Sequence, residues 1–299
     1  MPDASYTPTA TFRVPSIIPD GPAPASEVWR DALDALTAAQ SALTGLMVWA
    51  PRMYTSGTRS GGAASDTGVY VGAIPKVVLA DPDGTVRVHA VAATQLNTGT
   101  HAAGALGTSS NFYVYVYVAS NGAAPTFLIT GTAPAANMVW HPSQATYRYV
   151  GSFTTNAAGD PRPFRMAGGR YLYEIDGGDV LADFTVYSGD PGGVQQDLSL
   201  QGLIPSTSGK ALIRWVAYST GASKVFSMLQ GAASPSAYVT LDAPTAPGGG
   251  TSFNTETTEL PVAPYAPVSS VFNTISITGN GGGVASVDVY ALGYEEALA

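Results

Sequence analysis

A strictly alternating segment at residues 112–118 constrains the fold of this chain most strongly. A phenylalanine and three valines occupy every second position, and three tyrosines occupy the positions between them. Because successive side chains of a β-strand point to opposite faces, this alternation predicts a strand with one apolar and one aromatic face. Asn121-Gly122 follows, a dipeptide that suits a tight hairpin turn, and residues 126–130 predict the return strand.

Short strand candidates continue at even spacing to the end of the chain. They lie at residues 69–71, 76–79, 85–90, 147–150, 170–175, 211–218, 224–229, 238–241, 271–277 and 284–294. Residues 156–159, with their asparagine and glycine, predict a turn. Many short strands with almost no helix predict a mainly β fold. We predict two tandem antiparallel β-sandwich or jelly-roll-like domains, at residues 65–190 and 191–299.

One predicted hairpin carries an expectation about which side chains are buried. Residues 81–84, Asp-Pro-Asp-Gly, have the composition of a turn rather than of a calcium loop, whose later acidic ligands are missing. In the strand that follows, Val86 and Val88 alternate with Arg87 and His89. We therefore expect the two valines to face inward and the two basic residues to face outward.

The N-terminal part has a different character from the β-rich remainder. Residues 1–25 contain six prolines and predict an extended attachment arm, with a disordered tail as the alternative. Residues 26–64 predict one amphipathic helix followed by a linker. A short heptad seam runs along this helix, formed by Trp29, Ala32, Leu36, Ala39, Leu43 and Leu46. The seam predicts self-association, and an amphipathic helix folded onto its own sheet gives nearly the same pattern.

Composition excludes several classes of function. The net charge is −8 and no Lys/Arg cluster is visible, which argues against nucleic acid because phosphate binding requires clustered cations. No apolar run is long enough for membrane insertion, and the first residues lack a signal-peptide pattern, so we expect synthesis in the cytoplasm. The chain has no cysteine. No metal or cofactor is predicted.

The ionisable residues show no catalytic pattern. The three histidines are far apart in sequence, and no nucleophile-elbow motif accompanies them. Four aspartates form a candidate acidic cluster but lie where turns need them: Asp176, Asp179, Asp183 and Asp190. We therefore predict that the chain is not an enzyme. A depolymerase of surface polysaccharide is the alternative from another class.

The tyrosine face of the central strand is a candidate interface or glycan contact. Tyr113, Tyr115 and Tyr117 combine apolar area with hydroxyl groups that tolerate water, which suits a binding surface. The alternative is that a neighbouring sheet of the same domain covers this face.

Two segments carry a resemblance to a known family. Residues 147–164, which follow the strand at 112–120 and Asn121-Gly122, resemble a segment of tail-fibre and other fibre-like virion proteins of tailed bacteriophages. The closing residues 287–294 are similar to the last strand of the terminal domains of such proteins. Together the likeness covers about two thirds of the chain, and its motifs are structural.

The resemblance implies a virion protein whose N-terminal part attaches to other virion proteins and whose β domains meet the host surface. It implies a homotrimer, localisation in the virion after synthesis in the host cytoplasm, and adhesion to a bacterial surface glycan. A capsid-decorating protein, a head fibre or a tail adaptor without a receptor role is the alternative within virion assembly.

Overall fold

The computed structural model shows a mainly β protein. It describes residues 53–56, 68–135, 140–167, 169–174, 181–192, 196–219, 224–230, 238–243, 252–262, 274–280 and 285–297. The predicted arm and all six heptad positions lie outside these residues, so the predictions made for them stay predictions.

Nineteen strands are described. They are β1 (Met53–Ser56), β2 (Gly68–Val71), β3 (Ile74–Ala80), β4 (Val86–Val91), β5 (Thr94–Leu96), β6 (Asn111–Val118), β7 (Pro125–Thr130), β8 (Trp140–His141), β9 (Gln144–Thr154), β10 (Phe164–Ala167), β11 (Arg170–Tyr173), β12 (Thr185–Gly189), β13 (Gln196–Ser199), β14 (Ser208–Ser219), β15 (Lys224–Gln230), β16 (Tyr238–Ala243), β17 (Ser252–Pro261), β18 (Thr274–Asn280) and β19 (Ala285–Glu296). A four-residue helix, α1 (Thr98–His101), and a 3-10 turn (Leu181–Phe184) complete the described elements. Within these residues, no helix has the length and apolar character needed to span a membrane.

The largest sheet has nine strands in the order β17-β14-β19-β11-β10-β1-β2-β5, with β12 paired to β19. One face of this sheet packs into the main core, through side chains such as Met53, Val69, Phe164, Tyr171 and Val289. The strand pairings are antiparallel. The predicted fold class, mainly β with antiparallel sheets, is confirmed.

This sheet contains strands from both predicted β domains. Strand β11, from the first, pairs with β19, from the second, so that Tyr171 lies opposite Tyr294. Strands β14 and β17 extend the same sheet on the far side of β19. The predicted domains are therefore hydrogen-bonded to each other, and the division at residue 190 stays a prediction.

Two four-stranded sheets and a two-stranded hairpin, β3-β4, accompany the large sheet. Their orders are β7-β6-β9-β8 and β13-β18-β15-β16. Strands β6 and β7 form the hairpin predicted from the alternating segment, with Val116 opposite Phe127. Gly122 has φ 74° in the turn between them, a conformation that glycine adopts at little cost. The buried valines of β6 join the main core.

The β3-β4 hairpin corrects one expectation. Val86 and Val88 are exposed, at 65% and 58%, and not buried as predicted. Residues directly opposite each other in an antiparallel pair share a face, and Arg87 lies opposite the buried Leu79. Arg87 Nε lies 3.2 Å from the buried carboxylate of Asp81. The buried residues of β3 set the register of the hairpin, so the residues of β4 opposite them face the same side. The buried carboxylate of Asp81 attracts the Arg87 cation to that face.

Candidate functional site

A cleft of about 1220 Å³ opens at the β5 edge of the nine-stranded sheet. Three segments line it, with Ile129 and Phe153 between them: strand β2, the continuous stretch from β5 through α1 to Leu106, and the turn at residues 158–161. The cleft is open to solvent, as a site for part of a polymer requires. Ligands bind preferentially in concave clefts that combine apolar side chains with a few polar groups, so this cleft is the candidate site.

The α1 side of the cleft is fixed by Asn97. Its Oδ1 accepts a hydrogen bond from the Gly99 amide at 2.7 Å, which caps the short helix. The Asn97 amide in turn donates to Nδ1 of His101 at 2.9 Å. His101 is thus part of a helix cap. Among the described residues, no group of three His, Cys, Asp or Glu side chains is placed to hold a metal.

A second wall of the cleft is the turn predicted at residues 156–159. The Asn156 side chain accepts hydrogen bonds from the amides of Ala158 and Asp160, at 2.9 and 3.0 Å. Gly159 has φ 88°, which suits glycine. These contacts confirm the predicted turn and hold Asp160 at the wall of the cleft.

A buried arginine anchors this turn to the rest of the molecule. Arg162 donates from Nη1 to the carbonyl oxygens of Thr155 and Gly202, the latter at 2.6 Å, and from Nε to that of Asp183 at 3.0 Å. A guanidinium group can donate five hydrogen bonds in a fixed plane. Arg162 therefore joins three distant backbone segments and keeps the wall in place.

The floor and the rim of the cleft differ in chemistry. Buried apolar side chains such as Leu96, Ile129 and Phe153 are among the lining residues, and the exposed amides of Gln95 and Asn97 are at the rim. An amide side chain both donates and accepts hydrogen bonds. Hydroxyl groups have the same two capacities, so the rim matches a hydroxyl-rich ligand better than a charged one.

Two stacked tyrosine rings lie beside the rim. Tyr70 lines the cleft, and its ring is 5.3 Å from that of Tyr54, with an angle of 9° between the ring planes. Tyr54 is 41% exposed. Gly68 makes room for the neighbouring Gln95, because a Cβ there would lie 2.6 Å from Gln95 Nε2. Tyr70 is half-buried, so the pair presents one exposed and one partly exposed aromatic ring at the mouth of the cleft, where tyrosine combines apolar area with a polar hydroxyl.

The structure places the three predicted tyrosines elsewhere. Tyr113 and Tyr115 are buried inside the chain, where their hydroxyls contact Ser206 Oγ at 2.8 Å and the Thr132 carbonyl at 2.9 Å. Burial raises the pKa of Tyr113. Only Tyr117 is half-exposed, and it stacks on Tyr147 at 4.1 Å. None of the three is among the residues that line the cleft.

A buried carboxyl group, missed at the sequence level, joins the sheets. Glu296 accepts hydrogen bonds from Tyr149, from Ser152 Oγ at 2.6 Å and from Thr207 Oγ1 at 3.3 Å. Burial raises its pKa to about 7. Burial also raises the pKa values of the adjacent Tyr149 and Tyr171 well above 10. The cluster connects β9 of one sheet to β19 of another, away from the cleft lining.

Comparison with known proteins assigns no family to this chain. No protein-family model and no curated protein matches the chain. Among solved structures, the vertex protein P5 of PRD1 is similar at 12% identity, over 80% of this chain and 86% of that one, with a TM-score of 0.23. An exo-β-1,3-galactanase from Phanerochaete chrysosporium, solved with galactose, is similar at 13% identity over 80% and 78%, with a TM-score of 0.19. Likenesses at these TM-scores carry no argument about fold or function.

Proposed function

We propose that this chain is a virion structural protein of a tailed bacteriophage, of tail-fibre type, whose β-rich part binds a glycan on the bacterial surface. The observation that carries the adhesion proposal is the open cleft with a stacked tyrosine pair, Tyr54 and Tyr70, at its mouth. The sequence resemblance of residues 147–164 and 287–294 to fibre-like virion proteins supports the virion assignment.

The chemistry of the cleft suits a sugar chain. Sugar hydroxyls pair with the amides of Gln95 and Asn97, which both donate and accept. The apolar faces of sugar rings pack against aromatic rings, because C–H groups meet the negative face of the π-system. The chain as a whole is poor in charge, at 11% against roughly 25% in an average domain, which suits an uncharged ligand better than an ionic one.

The remaining parts of the proposal concern assembly. The arm at residues 1–25 attaches the chain to other virion proteins, and the helix with heptad positions from Trp29 to Leu46 forms a homotrimer. The chain acts on the virion after synthesis in the host cytoplasm. No cofactor and no catalytic step belong to this proposal.

A panel of purified bacterial capsular polysaccharides and O-antigens, printed on one array, tests the adhesion. We expect the full chain to bind a subset of the panel, and the Gln95→Ala and Tyr70→Ala variants to bind that subset several-fold more weakly. Gln144→Ala is the matched control, because Gln144 is an exposed glutamine far from the cleft lining. Absence of binding across the panel, or equal loss in the control, would overturn the proposal. Release of new reducing ends from a bound polymer would contradict the non-enzymatic part.

The native mass of the full chain tests the assembly. We expect a trimer, and we expect Leu36→Lys combined with Leu43→Lys to yield monomers, because charged side chains at seam positions oppose packing. A wild-type chain that is monomeric in solution would contradict the trimer and favour a decoration or adaptor subunit.

A further inference from the structure

The stacked tyrosines belong to a longer row of side chains on the outward face of the nine-stranded sheet. We call this the tyrosine row; in order across five adjacent strands it consists of Gln95, Tyr70, Tyr54, Arg165 and Leu172. Each member lies directly opposite the next in the strand pairing, and opposite residues share a face. The neighbouring residues along the strands, such as Met53, Phe164 and Tyr171, point to the core. The row is therefore one continuous outward strip.

The side chains of the row are exposed to solvent, and the row begins at residues that also line the cleft. Tyr54 is 41% exposed, Leu172 is 46% exposed, and the Arg165 side chain is 80% exposed. Tyr70 and Gln95 belong to both the row and the cleft lining. Five strands have four spacings of about 4.8 Å, so the row extends roughly 19 Å from β5. A chain that leaves the cleft across the sheet meets two aromatic rings, then the Arg165 side chain and then the apolar Leu172.

The charges along this path do not suit an anion. The cation of the row, Arg165, is paired through Nε with Glu174. Farther along the same sheet face, Arg170 and Lys210 are paired with Glu259 and Glu295. In the cleft itself, Asp160 is a carboxylate with no cation among the lining residues.

From this geometry we propose that the cleft and the tyrosine row form one extended site for a neutral glycan chain, and that the site disfavours acidic polysaccharides. The proposal rests on the proposed adhesion function. It adds that the ligand is a neutral glycan and that its chain runs from the cleft across the outward face of the sheet. A neutral chain meets the amide of Gln95, the rings of Tyr70 and Tyr54 and the apolar Leu172, and its binding does not depend on the ion-paired Arg165. A chain bearing carboxylates meets Asp160 and Glu174, and like charges at close range oppose binding. The net charge of −8 adds a repulsive field around the molecule.

Chemical reduction of carboxyl groups gives a matched pair of ligands with one backbone. Each uronic-acid polysaccharide of the array is printed beside its carboxyl-reduced form, in which the uronic acids have become neutral sugars. For every pair in which either form binds the full chain, we expect the reduced form to bind about 10-fold more tightly. Equal or tighter binding of the acidic parents would overturn the neutral-ligand proposal while leaving adhesion in place. Absence of all binding would instead overturn the proposed function.

Oligosaccharides of increasing length, cut from a neutral polymer that binds, test the row separately from the cleft. We expect Tyr54→Ala to weaken binding of the longest fragments by about 2- to 10-fold, the range for a lost aromatic contact, and to have its smallest effect on the shortest binding fragments, which contact the cleft more than the row. Tyr117→Ala is the control, since Tyr117 lies on another sheet. A loss that is the same at every length would show that the row does not extend the site.

A charge variant gives a second, independent test. Glu174→Gln removes the carboxylate that pairs with the Arg165 cation. We therefore expect the preference for carboxyl-reduced over acidic polymers to shrink severalfold, while the affinity for neutral polymers is retained. The exposed Glu256, which does not line the path, provides the matched control Glu256→Gln. An unchanged preference in Glu174→Gln would contradict the electrostatic argument.

Discussion

The buried carboxyl group of Glu296 makes a quantitative prediction about stability and pH. Its pKa is raised from 4.5 to about 7, and burial is the largest cause. Hydrogen bonds from Ser152, Tyr149 and Thr207 act in the opposite direction, because they stabilise the charged form. Since each pKa unit corresponds to about 1.4 kcal/mol, the difference between folded and unfolded states amounts to about 3 kcal/mol.

The sign of the effect follows from proton binding. Below pH 4.5 the carboxyl group is protonated in both states. Between pH 4.5 and about 7 the unfolded chain loses this proton while the folded protein keeps it, so the free energy of unfolding falls as pH rises. Above about pH 7 both states are ionised and the contribution is constant. Glu296 therefore makes the fold less stable at neutral pH than at mildly acidic pH.

Replacing Glu296 by glutamine removes this titration. We expect the free energy of unfolding of Glu296→Gln, relative to wild type, to increase by about 3 kcal/mol between pH 4.5 and pH 8. Urea unfolding at several pH values, followed by tryptophan fluorescence, to which the buried Trp215 contributes, measures this difference. Other titrating groups cancel because they are common to both proteins. Parallel curves for the two proteins across the window would refute the reasoning.

Two further variants sharpen the test. Tyr149→Phe removes a hydroxyl that donates to Glu296, so the upper end of the window moves above pH 7, because the charged form loses a hydrogen bond. Thr207→Val removes a second donor to Glu296, so we expect it to move the upper end of the window in the same direction.

Three other predictions concern the backbone and the core, each read by urea unfolding. We expect Gly293→Ala to lower the free energy of unfolding by about 3 kcal/mol or more, because Gly293 has φ 153° and an added Cβ would overlap the carbonyl oxygen of Tyr171. The matched Gly84→Ala, at φ 86° with nothing within 4 Å of the added Cβ, should lower it by only about 1 kcal/mol. Equal losses in the two variants would contradict this explanation. Arg162→Met is expected to lower the free energy of unfolding by about 3 to 5 kcal/mol, since two buried carbonyl groups and a partly buried one lose their donor; a loss below about 1 kcal/mol would show that these carbonyls find other partners. Gly151→Ala should cost about 1 to 3 kcal/mol, as its Cβ would meet the Tyr171 hydroxyl and Met53 Sδ, and a neutral result would mean that these side chains move freely.

Local features of the fold could be predicted from sequence. The hairpin of β6 and β7 was predictable because its alternation and its Asn-Gly turn are both local signals. The turns at residues 81–84 and 156–159 follow from Asp, Asn and Gly in the same way, and the structure forms both. These elements depend on neighbours in the chain, which a pattern can show.

The candidate site could not be predicted, because it depends on pairings between distant strands. Strand β1 is only four residues long and has no strong pattern, so nothing indicated that Tyr54 would stack on Tyr70. The cleft combines three segments whose proximity is set by the sheet and by Arg162. The burial of Glu296 could in principle have been predicted from sequence, because alternation places it on the same strand face as the buried Tyr294. A glutamate at the end of a strand is usually exposed, however.

The position of β19 has a consequence for how the protein folds as it is made. This strand lies between β11 and β14 in the largest sheet, although its residues leave the ribosome after those of both neighbours. Thr55 and Phe164, joined by hydrogen bonds in that sheet, are already 109 residues apart. Until residues 285–296 have emerged, β11 and β14 expose unpaired edges, which attract other chains. The protein must therefore complete its largest sheet after synthesis of these residues, slowly, as contacts of such long sequence separation require.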